Sequence, residues 1–152
     1  MFEFKAIIIP AGNRPPRLVD LKASPLATPA HHPPGPFRCG LIPHPELYYD
    51  RIAYGLGPRS WQFEPVESLE GMSRRFATPY IVFYPTVSSD GLPFPINKCA
   101  REIQGDRFEA ANAWRGDLII AKYIGQDYAQ MTHASMSDFP IVKNWLSKKL
   151  AP

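Results

Sequence analysis

The segment from Ala30 to Glu46 holds the densest set of reactive side chains in this 152-residue sequence. Within 16 residues it places three of the four histidines, a cysteine and a glutamate: His31, His32, His44, Cys39 and Glu46. Imidazole, thiolate and carboxylate groups bind zinc-like divalent ions, and the prolines around them would hold the backbone in place. A metal site here would use His31, His32 and His44. The spacing contains neither Cys-x₂-Cys nor His-x₃-His, so we favour a structural segment whose rings hydrogen-bond backbone carbonyls.

The same cluster suggests a hydrolytic enzyme as an alternative function. Cys39 could act as a nucleophile if a histidine lies beside it, and His44 with Glu46 is a candidate acid–base pair. Pro43 and Pro45 restrict the backbone on both sides of His44. The sequence contains no Gly-x-Ser-x-Gly elbow, no phosphate-binding Gly-x-x-x-x-Gly-Lys loop and no Gly-x-Gly-x-x-Gly fingerprint. Apart from a divalent ion, no cofactor is indicated.

Aromatic and basic residues around this cluster favour recognition over catalysis. Recognition surfaces are rich in tyrosine, tryptophan and arginine held on ordered backbone. The candidate ligand-binding residues are Arg38, Tyr48, Tyr49, Arg51 and Trp61. The main prediction is therefore a small binding or interaction protein of unknown ligand, whose partner is a protein or a small molecule. An RNA-binding domain is the second alternative, because tyrosines can stack on bases and arginines can hold phosphate.

Charge and composition limit the kinds of partner and the cellular location that the sequence predicts. The net charge is +3, and all of the excess lies in residues 1–59, which hold seven basic and four acidic residues. A nucleic-acid groove usually carries a stronger basic bias, so nucleic acid is not the favoured partner. We expect no membrane partner, because no stretch approaches 18 apolar residues. Two cysteines, no secretory leader and no Asn-x-Ser/Thr acceptor predict a cytoplasmic protein without a disulfide.

Proline divides the chain into two parts. Its length suits one domain, and ten of its 18 prolines fall between Pro10 and Pro45. Proline fixes φ and removes a backbone donor, so this stretch is predicted to form neither a helix nor a central strand. Apolar residues recur between the prolines. We therefore expect residues 10–45 to be a proline-rich strap laid on the surface of a single domain that spans residues 1–152.

The rest of the sequence predicts an α+β fold. Strands are expected at 2–9, 80–84 and 117–124, and residues 47–54 fit a strand and a helix equally well. One helix is predicted to start at Pro95 and to end at Gly105. A second follows Ser137 and Asp138, with an apolar stripe at Ile141, Val142, Trp145, Leu146 and Leu150. The expected architecture is a small, mainly antiparallel sheet packed by two amphipathic helices.

Three stretches of the chain resemble known sequences. They are Pro79–Pro85 with Asp90–Pro95, Ile103–Gly105 with Ala113–Lys122, and Met136–Asn144. They are similar to short, uncharacterised proteins of mushroom-forming (basidiomycete) fungi, and the likeness extends to Pro43–Glu46. The resemblance covers most of the chain. It implies a fungal source and an intracellular setting, and it implies no activity, cofactor or catalytic residue.

Overall fold

A computed structural model describes residues 2–26, 42–45, 61–69, 76–85, 93–105, 113–125 and 130–149. They form a mainly antiparallel sheet and two short α-helices, which confirms the α+β class. The strands are β1 Phe2–Ile9, β2 Arg17–Leu26, β3 Ile42–Pro45, β4 Trp61–Val66, β5 Tyr80–Pro85, β6 Leu118–Ile124 and β7 Gln130–Thr132. The helices are α1 Lys98–Gln104 and α2 Phe139–Leu146, and a 3₁₀ turn, Met136–Asp138, leads into α2.

The strands pair in the order β3-β2-β1-β6-β5-β4, and β7 pairs with β6. Each of these pairs is antiparallel. Strand β6 is central, because it bonds to β1 through Leu118–Ile120 and to β5 through Ile119–Lys122. Three strands that are distant in the sequence therefore meet at the middle of the sheet.

Strand β2 corrects the prediction for residues 10–45. That stretch was expected to contain no central strand, yet Arg17–Leu26 lies between β1 and β3 and pairs with both. The physical reason is the distribution of the prolines. Residues 17–24 contain none, so eight consecutive positions can join a ladder, and the one proline of the strand, Pro25, lies near its end. The other residues of the predicted strap, apart from 10–16 and 42–45, lie outside the described residues.

The three central strands are buried on both faces. Alternate residues of a strand point to opposite sides, so β1, β5 and β6 contribute to two separate core clusters. One cluster contains Ile7, Val82 and Ile120, together with Ala100 of α1 and Val142 and Leu146 of α2. This pattern explains the continuous β-branched and aromatic runs in the sequence, since a strand covered on one face only would alternate with polar residues.

The second cluster lies on the opposite face and is built by the strands themselves. Phe4, Ile8, Phe63, Phe83 and Tyr123 are buried there, and the rings of Phe63 and Phe83 are 6.0 Å apart. Strand β3 also lies within 8 Å of β7.

Helix α1 begins later than predicted. Its N-cap is Asn97, whose side-chain oxygen accepts the Ala100 amide at 3.0 Å, so Pro95 lies before the helix and not in its first turn. Gly105 ends the helix at a φ of 62°, as the sequence indicated. In the described part of the chain, no helix combines the length and the apolar character that crossing a membrane requires.

Helix α2 begins at Phe139, directly after Ser137 and Asp138 as predicted, but the Asp138 side chain makes no capping hydrogen bond to it. The 3₁₀ turn Met136–Asp138 precedes it, and Pro140 occupies its first turn. Val142 and Leu146 are fully buried, whereas Ile141 and Trp145 are partly buried against the same cluster. Leu150, the last residue of the predicted stripe, lies outside the described residues.

Candidate functional site

Most of the predicted site residues lie outside the described residues. These are His31, His32, Arg38, Cys39, Glu46, Tyr48, Tyr49 and Arg51. His44 and Trp61 are the exceptions, and their backbones lie in strands: His44 pairs with Ser24 of β2, and Trp61 with Pro85 of β5. Within the described ranges, no group of three or more histidine, cysteine, aspartate or glutamate residues could hold a metal ion. The metal site and the hydrolytic site remain predictions.

Asp138 is the centre of a charged network beneath the start of α2. One carboxylate oxygen accepts the Tyr80 hydroxyl at 2.7 Å and the Lys122 ammonium at 3.0 Å. The other accepts the backbone amide of Ser135 at 2.8 Å and, at 3.4 Å, its hydroxyl. That hydroxyl also hydrogen-bonds the hydroxyl of Ser137 at 2.5 Å. The network therefore connects β5, β6 and the segment that leads into α2.

The electrostatics of this network indicate a structural role for Asp138 and Tyr80 and not a role in acid–base catalysis. Burial alone would raise the pKa of Asp138, but hydrogen bonds from Tyr80, the Ser135 amide and Lys122 lower it overall. Burial raises the pKa of Tyr80, and the hydrogen bond and charge of Asp138 raise it further. Tyr80 is 2% exposed. A buried phenol that holds its proton so firmly is a poor general base, because a base must lose its proton near neutral pH.

The sequence could predict only one part of this network, the contact between Ser135 and Asp138. Ser135-x-x-Asp138 has the spacing of a helix-capping motif, and the Asp138 carboxylate does accept the Ser135 amide. The partners Tyr80 and Lys122 are 58 and 16 residues away from Asp138. No local pattern could identify them, since only the pairing of β5 with β6 brings the two side chains to the same place.

Trp145 belongs to a row of three aromatic rings, in which the middle ring is buried and the two outer rings are partly buried. Tyr84 contacts Trp114 edge-on at 5.5 Å, and Trp114 contacts Trp145 at 6.0 Å. Trp114 is 1% exposed and donates its indole N–H to the Lys149 carbonyl at 3.3 Å. Trp145 was expected to be a core residue, but it is only partly buried. The correction arises because Trp114 fills the position beneath it and leaves one side of the Trp145 ring accessible.

The accessible side of Trp145 borders a shallow pocket of about 200 Å³. Its lining residues are Ser68, Leu69, Asn144, Trp145, Lys148 and Lys149. The Lys149 ammonium lies 6.0 Å from the centre of the Trp145 ring and 3.9 Å from a Glu64 carboxylate oxygen. Because Trp114 packs against the Trp145 ring from below, this surface combines a supported aromatic ring with the charged side chains of Lys148 and Lys149. We call these six residues the Trp145 pocket.

The comparisons with known proteins give no relative. The chain matches no protein-family model, no curated protein and no solved structure. The resemblance to short fungal proteins therefore stays a prediction, and the function must be inferred from the geometry of this chain.

Proposed function

We propose that the protein is a small binding protein whose Trp145 pocket takes an acidic, apolar segment of a partner protein. The observation that carries this proposal is the partly exposed Trp145 ring, supported from beneath by Trp114 and flanked by Lys148 and Lys149. Tryptophan contributes strongly to many protein interfaces, because one rigid ring buries a large area at a small cost in conformational entropy.

The positive charge around the Trp145 pocket determines what kind of partner segment would fit it. From Phe139 to Lys149 the chain contains three lysines and no acidic residue. A segment with carboxylates would pair with these lysines at the rim, and an aliphatic or aromatic side chain would pack on the Trp145 ring. The lysines would mainly accelerate association, whereas the ring would supply most of the affinity.

The sequence predicted the ligand-binding residues elsewhere, at Arg38, Tyr48, Tyr49, Arg51 and Trp61. Of these residues, all but Trp61 lie outside the described residues, so the Trp145 pocket carries the proposal. A cytoplasmic location belongs to the same proposal, as does a core arrangement in which two amphipathic helices cover one face of the sheet. The hydrolytic enzyme and the divalent ion have no support among the described residues, since their candidate groups lie outside them or, for His44, in strand backbone.

The proposal is tested by fluorescence anisotropy with three labelled probes. They are a peptide that alternates glutamate with leucine, the same peptide with lysine in place of glutamate, and a single-stranded RNA. We expect saturable binding of the glutamate peptide, weakened by about tenfold or more in Trp145→Ala, as for other tryptophan anchors. Circular dichroism should show that this variant is folded.

A pair of lysine variants provides the matched control. Lys148→Gln changes a residue of the Trp145 pocket, whereas Lys143→Gln changes an exposed lysine of α2 that does not line it. Lys148→Gln should weaken binding and reduce its salt dependence more than Lys143→Gln does. Equal effects of the two variants, or equal binding of the lysine peptide, would contradict the proposal. Tighter binding of the RNA would replace it with the RNA-binding alternative.

A further inference from the structure

We infer that a second pocket, between the β1–β2 connection and the start of β6, binds a small apolar carboxylate. Its volume is about 290 Å³, and it is lined by Ala11, Gly12, Arg14, Phe94, Pro95, Gly116 and Asp117. None of these residues belongs to the Trp145 pocket or to the predicted site at residues 30–46. The inference is therefore independent of the proposed function, and either could fail without the other.

Asn97 holds the walls of this pocket together. Its side chain is fully buried and donates to the Ile9 carbonyl at 2.8 Å and to the Gly116 carbonyl at 3.0 Å. Its oxygen accepts the Ala100 amide at the start of α1. One amide side chain thus satisfies backbone groups of three separate chain segments. A buried polar group with all its hydrogen bonds made restricts its surroundings to one arrangement, so the walls are ordered before any ligand arrives.

Backbone hydrogen bonds complete the frame. Gly12 donates to the Ile96 carbonyl at 3.2 Å and accepts the Lys98 amide at 3.2 Å, while Gly116 donates to the Pro95 carbonyl at 2.8 Å. Gly12 and Gly116 both have a φ of 77°, a conformation that favours glycine. A Cβ atom at Gly12 would meet nothing within 4 Å, so the backbone here faces open space. The pocket is therefore bounded by fixed backbone and by few movable side chains.

Apolar groups form most of the surface, and Arg14 supplies the positive charge. Ala11, Phe94 and Pro95 give the pocket its apolar walls, and Phe94 is itself packed against the core. Arg115 donates to the Phe94 carbonyl at 3.0 Å, so this guanidinium is already engaged. Within the described part of the chain, Arg14 makes no hydrogen bond or ion pair, and it is exposed at the rim. Its donors are free to bind a ligand.

The second charged residue, Asp117, limits where an anion can lie. One of its carboxylate oxygens accepts the Ala11 amide at 2.6 Å, which directs this charge toward the backbone of the pocket wall. An anionic group would therefore sit at the Arg14 end. A planar carboxylate fits the guanidinium fork with two parallel hydrogen bonds, and an aromatic or aliphatic body would contact Phe94 and Pro95. The volume suits a ligand of about ten non-hydrogen atoms, judged from the space that a water molecule occupies.

Benzoate and 3-phenylpropionate are suitable probes of this site. Two-dimensional amide NMR would follow the signals of Gly12 and Gly116 during titration of the full chain with either probe. We expect saturable shifts at both glycines. Benzyl alcohol, which has the apolar body without the charge, and inorganic phosphate, which has charge without the body, should each bind more weakly than the carboxylates.

Two arginine variants make the test specific. Arg14→Gln removes the proposed anion donor and should weaken carboxylate binding by about tenfold or more, as expected for hydrogen bonds to a charged group. Arg17→Gln changes an exposed arginine in β2 that does not line the pocket, and screening by salt should keep its effect below about twofold. Absence of saturable shifts, equal effects of the two variants, or equal binding of benzyl alcohol or phosphate would each overturn the inference.

Discussion

Replacing Asp138 should test how strongly the buried network joins strands β5 and β6 to the segment that leads into α2. The side chains of Asp138 and Lys122 are 9% and 22% exposed, and their charged atoms are 3.0 Å apart. Asp138→Ala would leave the Tyr80 hydroxyl, the Ser135 amide and the Lys122 ammonium without their acceptor. Losing one partner of a buried ion pair costs about 3–5 kcal/mol. Lys122 retains some access to water, so we expect a loss of about 3 kcal/mol.

A second aspartate–lysine pair in the same protein supplies the control. Lys5 and Asp20 are also 3.0 Å apart, but their side chains are 52% and 70% exposed. Exposed pairs of this kind contribute about 0–1 kcal/mol. Asp20→Ala should therefore lower the free energy of unfolding by less than about 1 kcal/mol. Urea denaturation of the two variants, followed by circular dichroism, measures both losses. Equal losses would refute the reasoning, because the distance and the charges are the same in both pairs, whereas burial and the further hydrogen bonds of Asp138 differ.

The contribution of Asp138 to stability should depend on pH with a definite sign. The pKa of Asp138 is lowered in the folded state, so its contribution to stability is complete above its ordinary pKa of about 4. That contribution is lost as the pH falls through the lower, folded pKa. The stability difference between the wild type and Asp138→Asn should therefore shrink in acid. A difference that stayed constant from pH 7 to acid would show that the charge of Asp138 contributes nothing.

Three further predictions concern the core, the glycines and a tyrosine. Trp114→Ala should cost about 3–5 kcal/mol in urea unfolding and Trp145→Ala roughly half as much, because only the first ring is fully buried. Gly116→Ala should destabilise the protein more than Gly12→Ala. Both have a φ of 77°, but a Cβ at Gly116 would collide with the proline ring at the end of β5, whereas one at Gly12 would meet open space. Burial, and then the charge of a nearby glutamate, raises the pKa of Tyr84 to about 12. Stability should fall as the pH rises above about 10, where the unfolded chain ionises first, and Tyr84→Phe should reduce that decline.

The sequence predicted the central strands because their signal is local. The runs in β1, β5 and β6 consist of β-branched and aromatic residues, and such runs form strands that are buried on both faces. The two helices were also predicted, although α1 starts at Lys98 and not at Pro95. The hydrogen bond from the Ala100 amide to the Asn97 side chain determines that start. The pattern of apolar residues does not predict this bond.

The candidate sites were less accessible to sequence reasoning. The predicted metal and hydrolytic sites lie between Ala30 and Glu46, a segment mostly outside the described residues. The Trp145 pocket was missed because Trp145 shares a helical stripe with buried residues, and a stripe cannot show that Trp114 already fills the space beneath it. The carboxylate pocket was missed because Arg14, Phe94 and Asp117 are far apart in the chain and share no motif.

By itself, the sequence determined the α+β class, the three central strands and the approximate place of both helices, since propensity and periodicity act over a few neighbouring residues. The tertiary structure alone decided that β2 is an inner strand, that Asp138 meets Tyr80, and that Asn97 joins three segments. These outcomes depend on which strands pair and in what register. Register is a long-range property, because the apolar faces of the whole sheet must be buried together.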